Sequence, residues 1–387
     1  MPPEMRLKVS HPKKAIFTGL SLIISTDKHN QIIGLALYLW TATLHTGIAY
    51  SFGMNVINLF RQLNHLRLAT LQPRKHRRVA QHWDRLIEEY YKGKGPSYKL
   101  TPKRPNLVGQ KIIWQYWAQG VKEEKLPEVV RLCYTSINRH RGDYQVIRLS
   151  DQTYREYIDL PEVISVARET HPEMSVAYFS DILRLALLSV YGGVWLDSTI
   201  FMAGPFEPSY ADLEFFMFQR DPAEPRKYYW RSHLPFFFGW GKHFRTNVQN
   251  AIIMARPHSE VIQSLMDILI RYWETKEDTK TPPVYLFFHI LFDQLVRRQD
   301  TPLHNLNCPI VSDTRLEILQ RMMKGDWPQR YESPEVVLQR HSLQKLAYNV
   351  PHNTFLRLIR ILRETGYLPV DMEAPEDVPT RSQTCQA

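Results

Sequence analysis

The residues of this sequence best arranged for chemistry lie in one stretch, Ala177-Tyr178-Phe179-Ser180-Asp181-Ile182-Leu183-Arg184 through Tyr191-Gly192-Gly193-Val194-Trp195-Leu196-Asp197-Ser198-Thr199. Asp181 and Arg184 are three apart, so on a helix they share one face and can interact. Beyond Arg184 the stretch is apolar up to the glycines, which predicts a buried helix whose two charges need partners. Gly192-Gly193 ends that helix and turns the chain into a short strand, Val194 to Leu196, that delivers Asp197 to its C-terminal edge. Open α/β sheets bind ligands at the carboxyl ends of their strands. A carboxylate there, next to a buried Asp/Arg pair, suits a divalent cation held against a diphosphate, because Mg²⁺ takes one or two carboxylates plus phosphate oxygens. The same features also describe a structural ion pair followed by a glycine turn. On these residues alone both readings stay open.

The elements that must position these groups alternate in type. Lys111 to Trp117 reads as a buried first strand, Glu128 to Arg139 as a helix and Tyr144 to Leu149 as a second strand. Short helices are expected at Tyr154 to Ile158 and Pro161 to Glu169, and the main helix at Ser175 to Val190. Val248 to Ala255 reads as a further strand, with helices at Ser259 to Trp273 and Pro283 to Arg297. Such alternation implies an α/β fold with a mostly parallel central sheet.

Composition narrows the function classes. With 44% hydrophobic and 23% charged residues, the 387-residue chain is neither disordered nor fibrous. Cys133, Cys308 and Cys385 match neither a disulfide framework nor a zinc site, so a reducing compartment is expected. The net charge of +10 is localised. Residues 1 to 110 carry 17 Lys and Arg against 5 Asp and Glu, a surplus of +12, while the rest carry 32 against 34. A neutral body argues against a nucleic-acid partner, and a basic region beside the longest uncharged stretch, Gln31 to Phe60, suggests an anionic membrane surface. That stretch is long enough to span a bilayer, which takes about 20 apolar residues. Thr41, Thr43, His45, Thr46, Ser51 and Asn55 dilute it, so a spanning helix, an in-plane helix or hairpin, and a buried helical arm all remain open. The apolar run Ala15 to Ser25 lacks a small-residue cleavage site and is read as uncleaved. Arg61 to Arg104 reads as a basic amphipathic helical arm, with Trp83, Leu86, Ile87 and Tyr90 at helical spacing. The expected division is a basic, helical arm over 1–104, an α/β domain over 105–370 and a flexible tail over 371–387.

Asp-x-x-Arg, an apolar helix and Tyr-Gly-Gly-Val-Trp-Leu-Asp together resemble the sugar-nucleotide-binding core of the DXD-containing glycosyltransferases, in their capsular polysaccharide synthesis branch. Further stretches are similar to that branch in order: Lys111-Ile112-Ile113-Trp114-Gln115-Tyr116-Trp117-Ala118-Gln119-Gly120, Arg148-Leu149-Ser150-Asp151 with Tyr157-Ile158-Asp159-Leu160-Pro161, Gln249 to His258, and Tyr285 to Phe292. The resemblance covers about residues 110 to 350. It implies a GT-A-like domain that transfers a sugar from a nucleotide-sugar donor to a cell-surface or capsular saccharide, free or lipid-linked. It implies Asp197, Asp181 and Arg184 as catalytic groups, and Gln115, Trp117, Gly192, Gly193, Thr199, Asn250 and His289 as donor-binding groups. A divalent cation, Mn²⁺ or Mg²⁺, would rest on Asp197 and His289. The departure from the family pattern is Asp197-Ser198-Thr199, in which Thr199 replaces the second DXD carboxylate and weakens the expected metal dependence. Related families mostly retain anomeric configuration, so retention is expected here. The alternatives are a non-catalytic scaffold that binds nucleotide sugars or glycans, and a phosphosugar transferase. A cytoplasmic enzyme held at the inner membrane face would meet a lipid-linked acceptor.

Overall fold

The computed structural model describes residues 71–211, 213–276 and 285–368. The chain divides into two units, Met1–Thr70 and Leu71–Ala387. The uncharged stretch 31–60, the first seventy residues of the expected arm and the tail 371–387 lie outside the described residues.

The second unit opens with helix α1 over 71–91. Its apolar positions behave as the spacing predicts. Trp83, Leu86 and Ile87 are buried, Trp83 stacks on Phe287, and its indole Nε1 donates to the Phe287 carbonyl at 2.9 Å. The basic side chains Arg74, Lys75, Arg77 and Arg78 face solvent, whereas His76 turns inward against Phe244. The expected boundary at residue 104 therefore differs from the structure. This helix packs into the same core as the α/β body, where its apolar stripe is buried.

The body follows as strand β1 (Ile112–Tyr116), helix α2 (Glu128–His140), strand β2 (Gln145–Leu149), helix α3 (Val176–Tyr191) and strand β3 (Gly193–Leu196). Then come the three-residue strand β4 (Ile200–Met202), β5 (Phe215–Gln219), β6 (Val248–Ala255), helices α4 (Glu260–Glu274), α5 (Phe287–Arg297) and α6 (Ile318–Lys324), strand β7 (Leu343–Lys345) and helix α7 (His352–Glu364). The main sheet has the order β2-β1-β3-β6-β5. β1 runs parallel to β2 and β3, and β6 runs antiparallel to both β3 and β5. Four strands thus share one direction and β6 alone is reversed, so the fold is α/β with a mostly parallel central sheet.

Both faces of the sheet are covered, as parallel strands require. On one side Trp114, Trp195 and Ile253 pack with α1, α3, α4 and α5. On the other, Ile113, Val194, Leu196 and Ile252 pack with Ile137 of α2 and with β4 and β7. β4 and β7 form a separate antiparallel pair with Ile200 opposite Lys345. The chain leaves β1 for β2 on one side and returns to β3 on the other. The carboxyl ends of β1 and β3 therefore flank the point where strand order reverses.

Candidate functional site

Asp197 is the first residue after β3, and its backbone N–H still bonds to the Ala251 carbonyl of β6 at 2.8 Å. Trp195 and Asp197 share a face, two residues apart on an extended chain, and the Trp195 indole donates to Asp197 Oδ1 at 2.9 Å. The next residue is an anchor. Ser198 Oγ donates to the Tyr116 carbonyl at 3.0 Å and lies 2.9 Å from the Tyr134 hydroxyl, so it ties the loop to β1 and α2 and presents no hydroxyl to a ligand.

Helix α3 supplies the cation beneath. Arg184 Nη1 meets Asp181 Oδ1 at 3.1 Å and donates to the Asn250 carbonyl at 2.8 Å, while Nη2 reaches Ser180 Oγ at 3.1 Å and Asp197 Oδ1 at 3.5 Å. Its guanidinium also lies over the Trp195 ring, 5.1 Å from the centroid. Asn250 Nδ2 closes the set by donating to Asp181 Oδ1 at 2.9 Å. The side chains of Arg184 and Asp181 are 5% and 9% exposed. Both were expected to be catalytic and Asn250 to meet the donor; the structure buries the first two and bonds all three to one another.

The residue that meets solvent beside Asp197 is one that sequence reasoning missed. Lys345, on β7, donates from Nζ to Asp197 Oδ2 at 2.8 Å and to Thr199 Oγ1 at 2.7 Å. Asp197 and Lys345 are each 24% exposed, the accessible pair of this cluster. β7 is held firmly there. The Leu346 N–H bonds to the Thr199 carbonyl at 2.9 Å, and the buried Gln344 side chain bonds to the Arg315 and His341 carbonyls and to the Leu319 N–H. Nothing in the local pattern of Leu343-Gln344-Lys345 marks it as functional.

These contacts set the charge states. Burial works to raise the Asp197 carboxyl, but Lys345 first and Arg184 next outweigh it and hold it below the usual carboxylate range. Asp181 goes the other way. Burial pushes it up to about 7, with the Asp197 charge adding to the effect and Arg184 opposing it. His289, on α5, is buried and held neutral, its pKa lowered to about 3 by burial first and by the nearby Arg184 guanidinium second. Its Nδ1 has no hydrogen-bond partner among the described residues.

The other expected donor contacts divide. Trp117 follows β1 directly, is half-buried, and packs edge-to-face with Tyr348 at 5.1 Å between ring centroids. Tyr348 is 51% exposed and lies three residues beyond Lys345, so the two rings border the same strand edge. Gln115 is wholly buried and accepts from Arg148 Nε at 3.0 Å, which places it inside the sheet. Gly192 and Gly193 lie at the opposite end of β3 from Asp197. Their φ values are +70° and +96°, and a Cβ would come within 2.6 Å of Pro257 Cδ at Gly192 and of the Ile112 carbonyl oxygen at Gly193. The close approach of Pro257 and of the Ile112 carbonyl accounts for both glycines.

A family model described as capsular polysaccharide synthesis protein matches residues 64–358. The chain belongs to this family. The match begins before α1 and runs into α7, so it includes the helix that the resemblance at the sequence level left out. No curated protein matches the sequence. Among solved structures, the PaToxG Glycosyltransferase is similar at 13% identity with a TM-score of 0.30, over 59% of this chain and 80% of that one. A likeness that low carries no argument.

The divalent cation that the resemblance implies does not fit the residues found at Asp197. One carboxylate stands where two are expected. Its Oδ2 holds the Lys345 ammonium and its Oδ1 holds the Trp195 indole, and Thr199 Oγ1 also takes the ammonium. His289 is within electrostatic reach of Asp197, but no cluster of three or more His, Cys, Asp or Glu able to hold a metal exists among the described residues. In this member of the capsular synthesis family the strand end is occupied by fixed cations of the protein itself. Among the described residues no helix is long and apolar enough to cross a membrane.

Proposed function

We propose that this protein is a glycosyltransferase that moves a sugar from a nucleotide-sugar donor to a saccharide acceptor in capsular or cell-surface polysaccharide synthesis. The observation that carries the reading is the pair Asp197 and Lys345, accessible at the carboxyl end of β3 where the strand order reverses. Ligands of open α/β sheets bind at such a point. A fixed carboxylate–ammonium pair there can receive a diphosphate and the hydroxyls of the sugar attached to it. The exposed Tyr348 ring and its neighbour Trp117 offer a surface on which a nucleobase can stack. Catalysis consists of holding donor and acceptor in register and stabilising the charge that builds on the departing diphosphate. Arg184 and Asp181 keep Asp197 aimed without touching the substrate. The basic N-terminal region, with its uncharged stretch, supports an acceptor presented at a membrane surface, such as a lipid-linked saccharide.

The test is a screen of UDP-, GDP-, CDP- and ADP-sugars for stabilisation and slow hydrolysis. A donor present at a hundredfold excess over its dissociation constant should stabilise the fold by about 2.7 kcal/mol. Asp197→Asn should stay folded and lose about a hundred- to a thousandfold in turnover of that donor. Binding without any hydrolysis or transfer would instead indicate a scaffold, and an Asn variant with native turnover would remove Asp197 from the mechanism.

A further inference from the structure

We propose that the Lys345 ammonium takes the place of the divalent cation, so that this protein binds and releases a nucleoside diphosphate without metal. The inference rests on the glycosyltransferase reading above and deepens it at the same site. Lys345 Nζ lies 2.8 Å from Asp197 Oδ2 and 2.7 Å from Thr199 Oγ1, the two oxygen positions from which a cation would hang. An ammonium has three donors. Two are used by these contacts, and the third remains to meet a phosphate oxygen from the exposed side.

Charge balance agrees. The Asp197 carboxylate already faces two unit positive charges, Lys345 at 2.8 Å and Arg184 at 3.5 Å. A dication would add two more beside an ammonium already bonded to both oxygens, on a strand that Gln344 ties down through three backbone groups. The diphosphate, by contrast, brings the negative charge that this cluster lacks. Glu317 is also near enough to Lys345 to feel its charge, as is the exposed phenol of Tyr285. Neither bonds to Lys345 Nζ, so among the described residues Asp197 and Thr199 direct the ammonium. A partly desolvated cation held by two oxygens acts as a preorganised electrostatic catalyst.

In the transfer step the bond between the anomeric carbon and the β-phosphate oxygen breaks, and its electron pair stays on the diphosphate oxygen opposite Lys345. The acceptor hydroxyl oxygen forms the new bond to the anomeric carbon, and its proton is released to solvent. No oxidant, reductant or further reactant is needed.

The test uses the full chain stripped with EDTA and titrated calorimetrically with UDP, GDP, CDP and ADP, then retitrated with Mn²⁺. At least one diphosphate should bind in EDTA, with affinity unchanged by Mn²⁺. Lys345→Ala should weaken that binding about ten- to a hundredfold, the loss of one charge-assisted hydrogen bond. Mn²⁺ should then restore part of it, since Asp197 and Thr199 are uncovered, and the electron paramagnetic resonance signal of the free ion should fall in the variant only. Lys345→Arg, which keeps the charge, serves where the alanine variant does not fold and should still bind in EDTA. If the wild type binds a diphosphate only with Mn²⁺, this inference fails and the glycosyltransferase reading stands. If no diphosphate binds with or without Mn²⁺, both fail.

Discussion

Arg184→Met removes a buried guanidinium while keeping a side chain of similar length. The residue loses its contacts to Asp181 Oδ1, the Asn250 carbonyl, Ser180 Oγ and Asp197 Oδ1, all made by a group that is 5% exposed. Removing one partner of a buried pair costs about 3–5 kcal/mol where the partner left behind is charged, a large part of the roughly 5–15 kcal/mol that holds a typical domain together. For Asp181 that condition is met above about pH 7. The cost should depend on pH, and its sign follows from Asp181. Its folded pKa is raised to about 7, so it takes up a proton on folding, and stability falls as pH rises from the unfolded value toward 7. Without Arg184 the carboxyl shifts higher still. Below about 7 wild type and variant both fold with Asp181 protonated, and the difference between them is constant. Above 7 only the variant continues to lose stability, by about 1.4 kcal/mol per pH unit. Urea unfolding followed by tryptophan fluorescence at pH 6.5 and 8.5 should therefore give a gap about 2 kcal/mol wider at the higher pH, with equal m-values. Adding Asp181→Asn should abolish that pH dependence. A loss below about 1 kcal/mol that is flat with pH would refute the coupling of these two residues.

Gly193→Ala should destabilise strongly, because left-handed backbone costs a side chain about 1–2 kcal/mol and the new Cβ would press within 2.6 Å of the Ile112 carbonyl oxygen. A melting temperature equal to wild type would contradict the close approach of α3's end to β1. A chain that starts at residue 105 loses α1, and with it Trp83, Leu86 and Ile87, each worth about 1.5–3 kcal/mol when buried. It should aggregate on expression where the full chain does not, and a soluble, cooperatively melting product would show that α1 is dispensable. His289 and His76 stay neutral in the fold, with pKa values lowered to about 3 and about 4. The unfolded chain protonates its histidines near 6.5, so their stabilisation is complete above that pH and is lost as pH falls toward the folded values. Calorimetry should show stability dropping below pH 6.5, and His289→Gln should flatten the slope by about 1.4 kcal/mol per unit. An unchanged slope would mean that His289 is not buried.

Much of this protein is written locally. The strand at Val248–Ala255, the helix ends at Glu128 and near Tyr191, and the turn at Gly192-Gly193 follow from periodicity and from glycine's backbone freedom, which act between near neighbours. The same locality made Asp181, Arg184 and Asp197 visible as a cluster, since one helix and one strand carry all three. Tertiary structure decided which of them meets solvent. It buried Gln115 and Asn250, took Gly192 and Gly193 away from the site, and drew α1 into the core. It also brought up Lys345, which is 148 residues from Asp197 in the chain. Strands β4 and β7 are three residues each, too short to show a period, and their pairing depends on packing against α2 and α6. A charge that reaches its partner only through such a pairing leaves no local trace, because the contact is set by the free energy of the whole core.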